Sequence, residues 1–464
     1  MDPAQLQYIE CHATSTKVGD ATEVSALTAA LAPRLPAGKR IPIGSVKANI
    51  GHTLESAGIA SLLKVILAAR HGLIPPQINF RTPNPQIEWD RIPFFVPTEA
   101  KPWPEPREGQ ARRAAVNAFG IGGLNVHVVL DDRPTKVNST LVNVPDAVRT
   151  DASSDLRRHT ATSEPIAIVG LGCIFPKAPS ADAFWELLVS GRSGLSEVPS
   201  DRWNANLYFD PHSDGFFRAR TKLGGFITEY VYDWKKHKVP PKQVANANPL
   251  QFMLLDAADA ALRDAGYDQR PFDRERTAVV VGTTFGGDFA CHMQMGLRLP
   301  ETVRLIRESL QNQGVEPDRI DRVAAEFEKE LLKRMPALAD ETGSFTASTL
   351  ASRLSKTFDL MGGAFTVDAA DTSSMAALVA AMNLLRTGKC DTVLCASGQR
   401  SMDVTVYESF GLRGLLPDGP PRSAFDRQGH GAVPGEGVGV LVLKRLADAV
   451  REGDKIGAII RGVG

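Results

Sequence analysis

The chain has 464 residues with 53 basic and 53 acidic side chains, so its formal net charge is zero. Apolar residues make up 43% and charged residues 23%, which is ordinary for a globular protein with a large buried core. A zero net charge argues against a general binder of nucleic acid or anionic membranes, because both depend on a basic surplus. No apolar run approaches the roughly 18 residues that a membrane span needs.

The five cysteines, at positions 11, 173, 291, 390 and 395, form no CxxC pair. An odd number without that spacing predicts a reducing cytoplasm, and it predicts neither a disulfide framework nor a structural metal site. The first residues, MDPAQ, have neither the basic nor the apolar region of a secretory signal. We therefore expect a cytoplasmic protein, and the length alone suggests two to three domains.

Residues 1–132 form a first block of predicted elements. An apolar segment at 41–46 predicts a strand, and apolar residues at helical spacing over 58–72 predict a buried helix. A glycine-rich turn at 120–123 leads into a predicted strand at 126–130.

Residues 133–164 are rich in Ser, Thr, Asp, Arg and Pro and show no apolar period, so we predict a linker there. Residues 165–464 form the second block. Its apolar runs predict buried strands at 166–170, 277–282, 363–371, 392–398 and 438–446. Its helical spacings predict helices at 183–191, 319–335 and 373–388. Strands that alternate with helices and are apolar on both faces predict an α/β fold with buried sheets.

The segment VDAADTSSMAAL at 367–378 predicts a strand, a tight turn and a helix, with Asp371 at the turn. A residue there lies at the positive end of the helix dipole. Such a position lowers the pKa of a thiol or stabilises an oxyanion. The alternative is that Asp371 is only the N-cap of the helix that follows.

Two segments near the start carry further candidate residues. CHATSTKVGD at 11–20 presents His12, and SVKANIGHTLESAG at 45–58 presents Lys47 and His52. Two loop histidines with a lysine can polarise a carbonyl or bind a carboxylate. The alternative for each histidine is a purely structural hydrogen bond.

Together these segments resemble the β-ketoacyl synthases (ketosynthases) of the thiolase superfamily, and they look closest to the ketosynthases of type I polyketide and polyunsaturated-fatty-acid synthases. The family's N-terminal opening, nucleophile elbow and late N-terminal segment resemble EPIAIVGLGCIFP (164–176), VDAADTSSM (367–375) and FDRQGHGAVPGEGVGVLVLKRL (425–446). Its two histidine motifs and its C-terminal glycine loop resemble CHATST (11–16), KANIGH (47–52) and AFGIGGLNVHVVL (118–130).

The resemblance implies a thiolase-like layered αβαβα fold and an acyltransferase site. By that resemblance His12 and His52 assist decarboxylation, Lys47 orients the site, and Asp371 stands at the position of the nucleophilic cysteine. An acyl or pantetheine pocket is expected at Thr14, Thr16, Phe119, Gly120, Gly122 and Gly123. No bound cofactor or metal is expected, because acyl and malonyl groups arrive on the phosphopantetheine of an acyl-carrier protein. The expected partners are that carrier protein and a second ketosynthase domain, as a homodimer or pseudo-dimer.

The family order is reversed here, with the C-terminal half at 1–132 and the N-terminal half at 165–464. One explanation is the tail of one synthase, a linker and the front of the next. The other is a circular permutation. We favour the tandem explanation, because several tens of residues that a permuted chain would keep between its last and first segments are missing. If the chain folds as one unit, Asp371 should lie within several ångströms of His12 and His52.

The second departure is chemical, since an aspartate cannot form a thioester. We therefore expect a ketosynthase-type fragment that does not condense, in which the cysteine serving His12, Lys47 and His52 lies upstream of Met1. The rival hypothesis is a non-catalytic partner, resembling a chain-length factor or a scaffold. A third is a gene fragment that does not fold.

Overall fold

The computed structural model describes residues 2–134, 164–212, 218–245, 247–284, 295–334, 346–417 and 419–464. Most of the predicted linker, as well as Cys291, lies outside these ranges.

The strands of the first block are β1 (Tyr8–Glu10), β2 (Ile41–Gly44), β3 (Leu73–Ile74), β4 (Phe94–Phe95), β5 (Lys101–Pro102), β6 (Arg113–Phe119) and β7 (Asn125–Asp131). Those of the second block are β8 (Ile166–Ile174), β9 (Ser196–Glu197), β10 (Leu223–Gly224), β11 (Thr277–Gly282), β12 (Ala364–Val367), β13 (Thr392–Gln399), β14 (Gly437–Arg445) and β15 (Ala458–Val463).

The helices of the first block are α1 (Lys17–Leu31), α2 (Lys47–Ile50) and α3 (Ala57–His71). Those of the second block are α4 (Ala181–Val189), α5 (Ala205–Tyr208), α6 (Pro241–Ala245), α7 (Leu250–Asp264), α8 (Leu299–Asn312), α9 (Pro317–Arg334), α10 (Ser348–Phe358), α11 (Ser373–Arg386), α12 (Val404–Leu412) and α13 (Leu446–Arg451). Among the described helices, none is long and apolar enough to span a membrane.

Both blocks contribute to one 11-stranded sheet. Its order is β12-β11-β13-β14-β8-β15-β7-β6-β1-β2-β4, so the strands of each block stay together. The blocks meet where β15 pairs antiparallel with β7, with Ile459 opposite Asp131 and Val463 opposite Val128. The described part of the chain therefore folds as one unit, with the two blocks in the reversed order.

The helices and the two halves of the sheet, one from each block, form five layers. α3 and α11 contact each other, α3 also contacts β6 and β14, and α11 contacts β11 and β13, so these two helices form the central layer. α1 packs with β1 and β2 on one outer side, while α7 and α10 pack with β8, β11 and β14 on the other. Alternate residues of β14 belong to the central core and to the outer core, because successive strand residues point to opposite faces. This arrangement confirms the predicted αβαβα fold.

Two predicted strand ends differ from the structure by four residues. The strand predicted at 166–170 continues to Ile174 because Gly170 and Gly172 let α7 approach closely. A Cβ atom would lie 2.2 Å from the Ala261 carbonyl oxygen at Gly170, and 2.1 Å from that of Ala257 at Gly172. The strand predicted at 363–371 ends at Val367, because the chain turns sharply before α11.

Candidate active site

The turn between β12 and α11 holds Asp371 in a short 3-10 helix, Ala370–Thr372. Ala370 has a φ of 49°, in the left-handed region that non-glycine residues rarely adopt. Its N–H donates to Asp368 Oδ1 at 3.1 Å, and the Ser373 hydroxyl donates to its carbonyl at 2.7 Å. These bonds fix the strained turn, a feature that is frequent at functional sites.

The N-cap interpretation of Asp371 is wrong. The N-cap residue of α11 is Thr372, and its side chain makes no capping hydrogen bond. Asp371 lies one residue earlier, and its side chain lines a cavity. The Asp371 carboxylate therefore does not occupy the N-cap position of α11.

The glycine loop lies directly against this turn. A Cβ atom on Gly120 would lie 2.7 Å from Thr372 Oγ1, so the loop can take this position only with a glycine there. The preceding residue, Phe119, donates its N–H to His12 Nδ1 at 3.2 Å. The loop thus joins the histidine of the first block to the turn of the second.

His12 follows β1, and Glu23 on α1 holds its backbone. The Glu23 carboxylate accepts the N–H groups of His12 and Ala13, each at 2.9 Å. It also accepts the Asn117 side-chain amide at 2.8 Å. Three donors on one buried carboxylate fix the backbone of the loop that begins at His12.

His52 lies in the turn between α2 and α3. Its backbone N–H donates to the Val433 carbonyl of the second block at 2.8 Å. Its Nδ1 accepts the Leu54 N–H at 3.0 Å. The His12 and His52 rings meet edge to face with centroids 5.7 Å apart.

Both imidazoles are neutral donors at neutral pH. Burial holds their pKa values well below the ordinary histidine value, and the nearby Lys47 charge adds to the effect. Each Nδ1 accepts a backbone N–H, so the remaining ring proton is on Nε2. The two rings therefore offer Nε2–H groups and have no free lone pair.

Lys47 does not line the cavity. Its buried ammonium donates to the His12 carbonyl oxygen, so Lys47 stabilises the backbone of the loop that begins at His12. Burial lowers the pKa of Lys47, while the negative charges of Glu10, Glu23 and Asp371 act in the opposite direction.

The candidate site is a cavity of about 240 Å³ that brings Asp371 together with both histidines. Its lining residues are His12, Thr14, His52, Phe119, Gly120, Ile121, Asp371, Phe410, Arg413, Leu415 and Ala432. Of the predicted acyl pocket, Thr14, Phe119 and Gly120 line it. Thr16 instead precedes α1 as its N-cap residue, while Gly122 and Gly123 are exposed.

Sequence reasoning missed the contribution of the segment after α12. Arg413 lines the cavity, and its guanidinium lies 5.2 Å from the centroid of the Phe410 ring. Burial raises the pKa of the Asp371 carboxyl, and the charges of Arg413 and Lys47 oppose that rise. No motif marked Arg413, because a cation on an amphipathic helix end ordinarily indicates a solvated surface.

None of the described cysteines lies in the lining of this cavity. Cys11, Cys173, Cys390 and Cys395 are all free and buried. Burial raises the pKa of Cys390 to about 11 and that of Cys395 to about 12, so these thiols stay protonated. Cys291 is outside the described residues.

A larger cavity of about 600 Å³ lies elsewhere, between α7 and the segment 226–231. Its lining includes Phe175, Ile227, Tyr230 and Asp256 but none of the predicted site residues. The Tyr230 hydroxyl and the Lys236 ammonium both donate to Asp256, each at 2.7 Å. The Asp256 carboxylate in the lining of this cavity is therefore already bound by two donors.

Comparison with protein families accounts for both blocks. Residues 163–449 match "Beta-ketoacyl synthase, N-terminal domain", and residues 1–81 match "Beta-ketoacyl synthase, C-terminal domain". Residues 83–155 match "Ketoacyl-synthetase C-terminal extension". The C-terminal match thus precedes the N-terminal one, as the motif order predicted.

Similar proteins are much longer than this chain. A polyunsaturated fatty acid synthase polypeptide of Thraustochytrium sp. is 28% identical over 99% of this chain and 21% of its own length. A phenolphthiocerol/phthiocerol polyketide synthase polypeptide of Mycobacterium tuberculosis is 32% identical over 68% of this chain and 18% of its own length. The chain therefore spans about a fifth of these relatives (21% and 18%).

A solved structure shows the same fold. The oxazolomycin ketosynthase domain of Streptomyces albus superimposes with a TM-score of 0.50 at 25% identity. The match covers 63% of this chain and 46% of that one.

Proposed function

The chain belongs to the β-ketoacyl synthase family, of the kind found in polyketide and polyunsaturated-fatty-acid synthases, and from that premise we propose that its site receives acyl groups but does not condense them. The observation that carries the proposal is the lining of the cavity. Asp371 lies there with His12 and His52, and no described cysteine does.

The family reaction needs a thiolate that accepts an acyl group from a carrier protein. The histidines then assist decarboxylation of a malonyl unit, and the carbanion attacks the thioester. Asp371 cannot form the thioester, and its charge opposes both the malonyl carboxylate and the enolate. Two like charges about 4 Å apart repel by about 4 kcal/mol at an effective dielectric constant of 20, roughly a thousandfold in rate.

A condensation assay tests the proposal. The purified chain is incubated with malonyl-carrier and butyryl-carrier protein, and the β-ketoacyl product is measured by mass spectrometry. We expect none above the level of Asp371→Ala, which lacks any nucleophile or charge at this position. A β-ketoacyl product that depends on the wild-type protein would contradict the proposal.

The tandem origin of the two blocks belongs to the same proposal. The relative from Thraustochytrium aligns over 99% of this chain in this order, which supports an origin in two consecutive ketosynthase-type domains, although the two blocks of this chain share one sheet. We propose boundaries at 1–132, 133–164 and 165–464. The proposed partners are an acyl-carrier protein and a second ketosynthase domain, and the proposed location is the cytoplasm.

A second candidate is a non-catalytic partner that resembles a chain-length factor. The observation that favours it is the edge of the sheet at β12, which pairs with β11 on one side only within the described part of the chain. Phe365 on β12 is 39% exposed, so one large apolar side chain on this edge strand is available to a second domain. In this role the site would shape a neighbouring acyl tunnel.

A further inference from the structure

We propose that the cavity hydrolyses short acyl thioesters, with Asp371 as the general base that activates water. The inference rests on the proposed function, because it requires an acyl thioester to enter the site. What carries it is the position of one carboxylate in the same small cavity as two neutral N–H donors.

The histidines form a ready oxyanion site. Their Nδ1 atoms accept the N–H groups of Phe119 and Leu54, which fixes the ring orientation and leaves the proton on Nε2. An oxyanion that forms in the cavity can accept both Nε2–H groups. Removing one donor of this kind typically costs a factor of about 10² to 10³ in rate.

Asp371 is the only described lining residue that can take a proton from water. Neither imidazole has a free lone pair, and the guanidinium of Arg413 is already protonated. The Asp371 carboxylate sits on the fixed turn that Asp368 and Ser373 hold in place. A positioned carboxylate base typically contributes a factor of about 10² to 10⁴.

The charge and the volume of the cavity determine which class of acyl thioester it can bind. A saturated acyl thioester is neutral and meets no repulsion from Asp371, whereas a malonyl group carries a like charge. At about 240 Å³ the cavity holds about eight water volumes of ~30 Å³ each. That space fits a thioester carbonyl, a short acyl chain and one water.

The reaction balances with water as the only co-reactant. The water oxygen bonds to the thioester carbon while Asp371 takes its proton, and the carbonyl electron pair moves to the oxygen held by the histidines. The carbonyl then re-forms and the carbon–sulfur bond breaks. The leaving thiolate recovers the proton from Asp371, so one thioester and one water yield a carboxylic acid and a thiol.

The test uses butyryl-N-acetylcysteamine and the intact chain, with released thiol as the readout. We expect thiol release above the buffer rate and a loss of about 100-fold in Asp371→Asn, which keeps the shape but not the base. Asp182→Asn removes an exposed carboxylate on α4 and should keep the wild-type rate. Equal rates for wild type and Asp371→Asn, or a wild-type rate equal to buffer, would overturn the proposal.

Two further measurements keep the outcomes distinct. Cooperative thermal unfolding of Asp371→Asn at the wild-type temperature shows that its loss of rate is not a loss of fold. Asp371→Cys, incubated with the same thioester, reports whether acyl groups enter the site at all. If Asp371→Cys becomes acylated while the wild type releases no thiol, hydrolysis is refuted and the proposed function stands. If neither reacts, both are refuted.

Discussion

Asp371 lies on a turn that Asp368 and Ser373 hold in place, opposite two histidines whose ring protons are fixed by backbone donors. The Asp371 carboxylate and the two imidazoles line one cavity. We therefore expect electrostatics and proton transfer at this position in place of nucleophilic attack.

Glu55, in the turn after His52, is a second buried carboxyl next to this site. Its Oε1 accepts the Thr284 hydroxyl, and its Oε2 has no hydrogen-bond partner. Burial raises the pKa of Glu55 from 4.5 to about 7, and Asp371 and Asp368 add to the rise. The folded state therefore favours the protonated carboxyl.

The first prediction concerns the pH dependence that Glu55 imposes. Because its folded pKa lies above the unfolded value, its stabilising effect is present below pH 4.5 and lost as pH rises through about 7. Relative to Glu55→Gln, the wild-type free energy of unfolding should fall by about 3 kcal/mol over that interval. Denaturant unfolding at pH 4.5 and pH 8 measures this difference.

The control for that experiment is Glu88→Gln, which removes an exposed carboxylate in a surface ion pair with Arg91. Exposed pairs contribute little, so its difference from wild type should be small at both pH values. A Glu55→Gln difference that does not change with pH would show that Glu55 is ionised in the folded state.

At the scale of elements, the edge strand β12 is the feature with the clearest consequence. It ends shortly before the turn at Ala370–Thr372, pairs only with β11 among the described strands and exposes Phe365. A second copy that pairs along this edge would bury the Phe365 side chain and bring the Ala370–Thr372 turns of the two copies close together.

The second prediction is that the chain dimerises through this edge and that Phe365→Lys abolishes the dimer, because a lysine on an edge strand opposes strand pairing. Light scattering on a size-exclusion column should show half the wild-type mass. Val231→Lys changes a residue that is 88% exposed away from this edge, and it should leave the mass unchanged. A Phe365→Lys variant with the wild-type dimer mass would exclude this edge as the interface.

Sequence patterns predict those elements whose apolar signal is local. The strand at 277–282 and the helix at 58–72 agree with β11 and α3 within one residue. The strand predicted at 166–170 is shorter than β8, because only the tertiary packing of α7 accounts for Gly170 and Gly172. The two histidines and Asp371 lie in recognisable motifs and could be predicted. Arg413 and Phe410 reach the cavity through tertiary packing, which no local sequence pattern indicates.

At the scale of the whole molecule, the two blocks share more than the β15–β7 pairing. Asp20 accepts the Phe425 N–H at 2.8 Å, and Asp426 accepts the N–H groups of Arg81 and Thr82. The largest core cluster also draws residues from both blocks. The cavity therefore exists only when the blocks are docked.

The third prediction is that the blocks stay together after the linker is cut. A protease site inserted at 147–152 of the full chain allows cleavage after folding. We expect the two fragments to elute together from a size-exclusion column, because separation would expose the shared core. Fragments that elute separately in the absence of denaturant would contradict the single-unit fold. Uncleaved protein carrying the same insertion is the control.

The fourth prediction is that the site is intact except for its nucleophile, so a cysteine at position 371 should restore acylation. Intact-protein mass spectrometry follows Asp371→Cys, Asp371→Ala and wild type after incubation with butyryl-carrier protein. We expect one butyryl adduct on Asp371→Cys and none on the other two. A butyryl adduct on the wild type, or no adduct on Asp371→Cys, would show that the site differs from an acyl-transfer site in more than this one residue.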